Sequence, residues 1–416
     1  MSDLLARRAR LLGPNVSTFY DQPLHIVRGE GVWLYDADGR RYLDCYNNVA
    51  HLGHCHPRVV KAIADQAAML NTHTRYLHDG ILDYGERLVG TFGHDLSQII
   101  LTCTGSEAND IALRMAQAVT GKVGIIATDN TYHGNTTAVS HLSTRRPPIG
   151  GWPAHVRRVP APDSLVPGGC DGAVFAGHVR RAIAELEASG HGFAALILCP
   201  IFANEGLPDV APGFLDGTVA AVRAAGGLII ADEVQPGFGR VGSHWWGHDW
   251  LGFAPDVVTL GKPMGNGHPV GGVVARPEVM AAFRTAFGYF NTFGGNPVSC
   301  AAAMAVLDVI EEEGLIDHAA KVSAHFRDRL LALSHPLIAG VRARGQFYAV
   351  ELARAGEPAP EAAAGIVEAM KLRGILIGRI GRQQHILKLR PPMPFGTEHA
   401  DMAAAALAEC LAEIGA

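Results

Sequence analysis

Two residues carry the strongest chemical signal in this sequence. Asp232 closes an apolar run in Leu-Ile-Ile-Ala-Asp-Glu-Val-Gln-Pro-Gly-Phe-Gly-Arg (228–240), and Lys262 follows another in Val-Val-Thr-Leu-Gly-Lys-Pro-Met-Gly-Asn-Gly-His-Pro (257–269). A carboxylate at the carboxyl end of a buried strand stands where open α/β sheets bind ligands. There it can hold a lasting cationic partner such as a protonated ring nitrogen. A lysine enclosed at such a place loses proton affinity, and its neutral amine becomes a nucleophile suited to Schiff-base chemistry. Singly, Asp232-Glu233 reads as a solvated turn and Lys262 as a surface lysine. Together they point to one site.

Two further segments extend it. In Thr-Cys-Thr-Gly-Ser-Glu-Ala-Asn (102–109), Gly105 lets the backbone approach an anion. Ser106 is expected to cap the helix that follows, and the first amides of that helix suit a phosphate. No Gly-Lys-Ser/Thr follows, so this is not a nucleotide P-loop. Tyr132-His133-Gly134 offers an aromatic face that can stack on a flat ring. Phosphate cradle, stacking ring, ring-nitrogen carboxylate and Schiff-base lysine are the requirements of pyridoxal 5′-phosphate, a cofactor that the protein orients and tunes.

These residues need a scaffold. Short apolar runs at 98–102, 123–128, 195–199, 228–231, 257–260 and 272–275 alternate with helical patterns. After Ser106, for example, Ile111, Met115 and Val119 share a face and Gly121 stops the helix. The alternation predicts an α/β fold with a mostly parallel sheet covered on both faces. Residues 20–45 read as a hairpin, with Asp38-Gly39 between 32–35 and 41–43. Beyond about 299, helical stretches (299–313, 317–333), apolar runs (347–352, 386–389) and a final helix predict a smaller α+β unit. The expected division is an N-terminal segment 1–50 joined to the small domain, a large cofactor-binding domain 51–300 and a C-terminal small domain 301–416.

Composition excludes other classes. With 48% hydrophobic and 18% charged residues, the 416-residue chain is not disordered. A net charge of −5 creates no basic field for nucleic acid. No apolar stretch approaches the roughly 20 residues that span a bilayer. Residues 1–12 mix Asp3 with Arg7, Arg8 and Arg10 and lack a signal-type apolar core. Seven cysteines, an odd number spread over the chain, fit free thiols in a reducing compartment, so a cytoplasmic protein is expected. His51, His54, Cys55, His56, His73 and His78 are zinc-binding types, but their spacings match no standard site, and no metal is expected.

The sequence resembles the class III aminotransferases, pyridoxal-phosphate enzymes of fold type I. The resemblance covers nearly the whole chain, from Tyr20 and 39–44 through Gly53-His-Cys-His-Pro57 to Arg390-Pro-Pro392, and its specific signature is Asp232, Gln235, Lys262 and Thr292. It implies that Lys262 forms the Schiff base and shuttles the substrate's α-proton, and that Asp232 pairs with the pyridine nitrogen. It also implies that Val234 packs under the ring, Gln235 reaches the ring hydroxyl, Gly105 and Ser106 hold the phosphate, and Tyr132, followed by His133, stacks on the ring. Thr292 would reach the phosphate of the neighbouring subunit, which implies a homodimer or a larger assembly.

Departures from the family pattern bear on the substrate. Where many members have Glu-Pro-x-x-Gly-Glu-x-Gly, this chain has Cys199 and Asn204 for the glutamates, with Glu205 adjacent. Lys388 stands where members that handle 2-oxo acids often carry arginine, and Arg390 occupies a position usually small. These departures look most like the branch containing the ethanolamine-phosphate and hydroxylysine-phosphate phospho-lyases. The implied activity is amino-group transfer from a small-molecule primary amine or amino acid to a 2-oxo acid. The alternative is elimination of phosphate from O-phosphoethanolamine or a similar amino-alcohol phosphate. Tyr20, Tyr46, Asn48, Lys388 and Arg390 are the expected substrate-binding residues. A binder that merely kept the fold is disfavoured, since every catalytic position holds a competent residue type.

Overall fold

Phe193–Leu198 (Phe-Ala-Ala-Leu-Ile-Leu) is buried at every position. A strand with no polar face needs cover on both sides, which places it inside a sheet. In the computed structural model, which describes residues 2–414, it lies within a seven-stranded sheet. Met1, part of the N-terminal stretch weighed above, lies outside the described residues; Ser2–Leu12 is helical. The sheet's strands, numbered in chain order, are β1 (Gln98–Thr102), β2 (Gly124–Thr128), β3 (Val156–Val159), β4 (Phe193–Leu198), β5 (Leu228–Asp232), β6 (Val257–Leu260) and β7 (Gly271–Ala275). Their spatial order is β1-β7-β6-β5-β4-β2-β3.

Strands β2 to β6 pair in parallel, so the mostly parallel α/β sheet is present. The exception is β7, antiparallel to β1 and β6. The link between β6 and β7 is too short for a helical crossover, which parallel neighbours require. Strand β3 is absent from the sequence reading because Arg157 and Arg158 interrupt its apolar run. At the sheet edge those charges are tolerated and discourage pairing with another chain.

Both ends of the chain build a second layer. The hairpin of Trp33–Asp36 and Arg41–Asp44 is closed by Asp36, whose carboxylate accepts from the amides of Asp38 and Arg40. Arg41–Asp44 then pairs in parallel with Ile375–Leu376. Tyr42 and Leu43 share a core with Phe326, Tyr348 and Leu407. A second sheet of Ile338–Arg344, Phe347–Arg354, Ile386–Leu389 and Gly378–Ile380 lies beside it. The helix Pro297–Glu312 instead buries its apolar residues in the core of the large sheet.

The acidic pair at the end of β5 divides between these surroundings. Successive strand side chains point to opposite faces, so Glu233 turns away from Asp232. It is fully buried and accepts from the amides of Gly247 and His248 and from His248 Nδ1. Beside it the fully buried Trp246 stacks on Phe92 with ring centroids 4.1 Å apart and donates Nε1–H to the Thr91 carbonyl. Trp246→Ala is expected to cost about 3–5 kcal/mol of stability, read as a lower denaturation midpoint.

Candidate active site

Asp232 and Lys262 end up together because β5 and β6 are neighbours, with Asp232 in register with Thr259. The two residues line one cavity of about 100 Å³ at the carboxyl edge of the sheet. Gly105, Ser106, Tyr132, His133, Gly134, Cys199, Val234 and Gln235 complete its wall.

Asp232 is buried and satisfied at both oxygens. Oδ1 accepts from the Val234 amide at 3.0 Å. Oδ2 accepts from His133 Nδ1 at 2.6 Å and from Asn109 Nδ2 at 3.0 Å. The far side of His133 meets the Thr131 hydroxyl at 2.9 Å, and Asn109 Oδ1 accepts from Thr259 Oγ1 at 2.7 Å. Four side chains and one backbone amide therefore hold one carboxylate in place. Lys262 opens a tight 3-10 turn with φ of +34°, an uncommon left-handed value for a side-chain-bearing residue. Strain of that kind concentrates at functional sites, where the surroundings enforce it. Its amine makes no hydrogen bond or ion pair among the described residues. Burial lowers its proton affinity, partly offset by Asp232 and reinforced by Arg390.

The anion cradle lies opposite. Helix Gly105–Thr120 follows β1, and its N-cap is Thr104, whose hydroxyl accepts from the Glu107 amide at 3.1 Å. The expectation that Ser106 caps the helix is therefore corrected. The helix starts two residues earlier, because Thr104 has the extended backbone a cap requires. Ser106 is left facing the cavity, its hydroxyl accepting from the Asn135 amide at 3.1 Å. A Cβ on Gly105 would lie 2.9 Å from Val234 Cγ2, and one on Gly134 (φ +141°) only 2.5 Å from Ser106 Oγ. Both glycines are required by close approach. Tyr132 is half-exposed at the rim, its hydroxyl donating to Asn135 Oδ1.

The remaining expected residues lie outside this wall. Lys388 is buried and donates to the Ala203 carbonyl (3.1 Å) and Gln235 Oε1 (3.4 Å). Burial, with Arg390 and Lys262 nearby, holds its proton affinity well below that of an ordinary lysine. Arg390 donates Nε–H to the Tyr46 carbonyl and Nη1–H to Gln235 Oε1, each at 2.7 Å, with its guanidinium over the Tyr46 ring. Tyr20 is packed into the second core and bonds the Ile377 carbonyl. Asn48 is buried with its Nδ2 unpartnered. Thr292 is exposed on a segment away from this cavity. Among the histidines weighed for zinc, His51 meets the Phe238 carbonyl, His54 pairs with Asp44 and His56 with Glu313. Among the described residues no three of His, Cys, Asp and Glu converge as a metal site.

Sequence reading missed Asn109, Thr259 and Thr131 as supports of Asp232. A buried asparagine inside a helix was an available signal, because its side chain competes with the backbone unless a tertiary partner takes it. It also missed Cys199 in the cavity wall, where burial, with Asp232 and Glu205 nearby, pushes the thiol well above its usual pKa.

A family model described as Aminotransferase class-III matches residues 16–411. A Drosophila melanogaster protein named alanine–glyoxylate aminotransferase 2-like is 40% identical, covering 99% of this chain and 87% of its own. The Caenorhabditis elegans ethanolamine-phosphate phospho-lyase homolog 1 is 34% identical, over 94% of this chain and 90% of its own. The solved structure of an Arthrobacter phospholyase in complex with phosphoethanolamine superposes with a TM-score of 0.95 at 43% identity, covering 99% of both chains.

Proposed function

We propose, on the premise that this chain belongs to the class III aminotransferase family, that within it the protein is a phospho-lyase acting on a small phosphorylated amine. Its cofactor is pyridoxal phosphate, and the cavity residues fit that group. Lys262 would hold its aldehyde carbon, Asp232 its ring nitrogen, and Gly105 and Ser106 its phosphate. Tyr132 and Val234 would flank the ring, with His133 fixing Asp232 from behind and Gln235 facing the ring oxygen. When bound, pyridoxal phosphate supplies an electron sink that stabilises negative charge at the carbon bearing the substrate amine.

The chain's own residues do the rest. Lys262, its proton affinity lowered by burial, takes the proton from the amine-bearing carbon. Asp232 is held in place for the ring nitrogen by three N–H donors. On the neighbouring carbon the C–O bond to phosphate breaks and its electron pair leaves with phosphate. Water then releases ammonia and an aldehyde.

The observation that carries this reading is a group of cations without carboxylate partners. Lys388 and Arg145 donate to the adjacent carbonyls of Ala203 and Asn204, Arg390 stands beside Gln235, and none of the three forms an ion pair among the described residues. Arg390 Nη2 also makes no protein hydrogen bond among the described residues. Cations left unpaired near a cleft favour a dianionic substrate group over a neutral amine. The Arthrobacter phospholyase supports the same choice.

With O-phosphoethanolamine and no acceptor, the holoenzyme is expected to release phosphate, ammonia and aldehyde together. Turnover that requires a 2-oxo acid would favour the second reading, transamination, which the Drosophila relative supports. Arg390→Ala is expected to raise KM for the phosphorylated substrate about 10–100-fold, the worth of a hydrogen bond to a charged group. Neutral amines should change far less, and equal effects on both would remove Arg390 from substrate recognition.

The proposed assembly is a homodimer. Tyr76, Leu77, Leu82, Phe290 and Phe293 are exposed apolar residues on the segments around a groove of about 500 Å³. Thr292, exposed between the groove-lining Asn291 and Gly294, supports its proposed role at the partner's phosphate site. All seven cysteines are free thiols, in keeping with a reducing compartment such as the cytoplasm. Among the described residues no helix is long and apolar enough to cross a membrane.

A further inference from the structure

Gln235 stands in the cavity wall with its side-chain oxygen turned outward from the cavity's centre of chemistry. That oxygen receives Arg390 Nη1 at 2.7 Å and Lys388 Nζ at 3.4 Å. Guanidinium and ammonium groups donate and never accept, so only the carbonyl end of the amide can face them. A flipped amide would set N–H groups against two cations. The rotamer is thereby decided, and the NH2 end is left for the cavity, with no protein acceptor among the described residues.

The two cations are themselves fixed. Lys388 is anchored on the Ala203 carbonyl and Arg390 on the Tyr46 carbonyl. Lys388 does not line the cavity, and apart from its share of the unpaired positive charge near the cleft it has no direct part in the catalytic scheme.

We infer that Lys388 and Arg390 are positioning residues that clamp the Gln235 carbonyl oxygen, so that its polarised N–H groups face the cofactor's ring oxygen and favour the anionic form of that oxygen. This inference rests on the pyridoxal-phosphate reading of the site. When the cofactor is bound, its ring oxygen would share a proton with the nitrogen that Lys262 provides. Donors from Gln235 would stabilise the negative charge on that oxygen, so the Lys262 nitrogen would give up its proton at lower pH.

The test is a pH titration of the visible absorption band of the holoenzyme, which reads the cofactor without turnover. Lys388→Met and Gln235→Leu are each expected to move the midpoint up by about one pH unit, tenfold in proton affinity. The double variant should move no further than Gln235→Leu alone, because Lys388 acts through the amide. Gln235→Glu keeps an acceptor for both cations, which protects folding, yet has no N–H to offer, so its midpoint should also rise. An unmoved midpoint in Gln235→Glu or Lys388→Met would overturn the clamp. So would additive shifts in the double variant, which would mean that the lysine acts by its charge alone. A wild-type protein that takes up no pyridoxal phosphate and shows no visible band would instead remove the underlying reading.

Discussion

Lys262→Ala is expected to erase the visible band of the bound cofactor and to lower turnover by at least about 10⁴-fold, the upper range for loss of a positioned acid–base group. Lys262 is asked both to hold the cofactor and to move the substrate's proton, and alanine does neither. The fold should survive. The lysine amine makes no hydrogen bond among the described residues, and alanine inherits the same positive φ without adding bulk. A thermal midpoint near that of the wild type therefore separates lost chemistry from lost structure. Added small primary amines should restore part of the activity by supplying a mobile base. Turnover near the wild-type level in Lys262→Ala would remove this residue from the reaction.

Asp232→Asn tests the other half of the site, with an expected loss of about 10²–10³ in kcat. The substitution keeps shape but removes the negative charge that would keep a ring nitrogen protonated. It also creates a local conflict. His133 Nδ1 and Asn109 Nδ2 both donate to Oδ2, so an amide NH2 at that position would face donors, while the flipped amide would set its NH2 at the Oδ1 position against the Val234 N–H. Cofactor affinity should fall together with the rate. Asp232→Glu preserves charge but adds a methylene inside a buried network, and should recover only part of the activity. Equal activity in the asparagine variant and the wild type would mean that no cation is held at Asp232.

Much of this was legible before the structure. Leu228–Asp232 and Val257–Leu260 are buried at every position, and continuous burial leaves an apolar run that sequence shows directly. The residues just past such runs fall at one sheet edge, which brought Asp232 and Lys262 into view together. Strand β3 escaped notice because an edge strand carries charge, and sequence puts the cap at Ser106 where the structure has Thr104, because hydroxyl type alone cannot say where a helix begins.

Sequence alone determined which residue types stand at the carboxyl ends of the buried strands, and with them the cofactor chemistry, since burial and local spacing are properties of short segments. Only the tertiary structure decided that Asp232 faces the cavity while Glu233 caps another segment. It alone brought Asn109, Thr259 and His133 to one carboxylate, and set Lys388 and Arg390 against the oxygen of Gln235. Those outcomes depend on which face of a strand meets which distant helix or loop. A contact between residues 123 positions apart, such as Asn109 with Asp232, leaves no trace in local spacing.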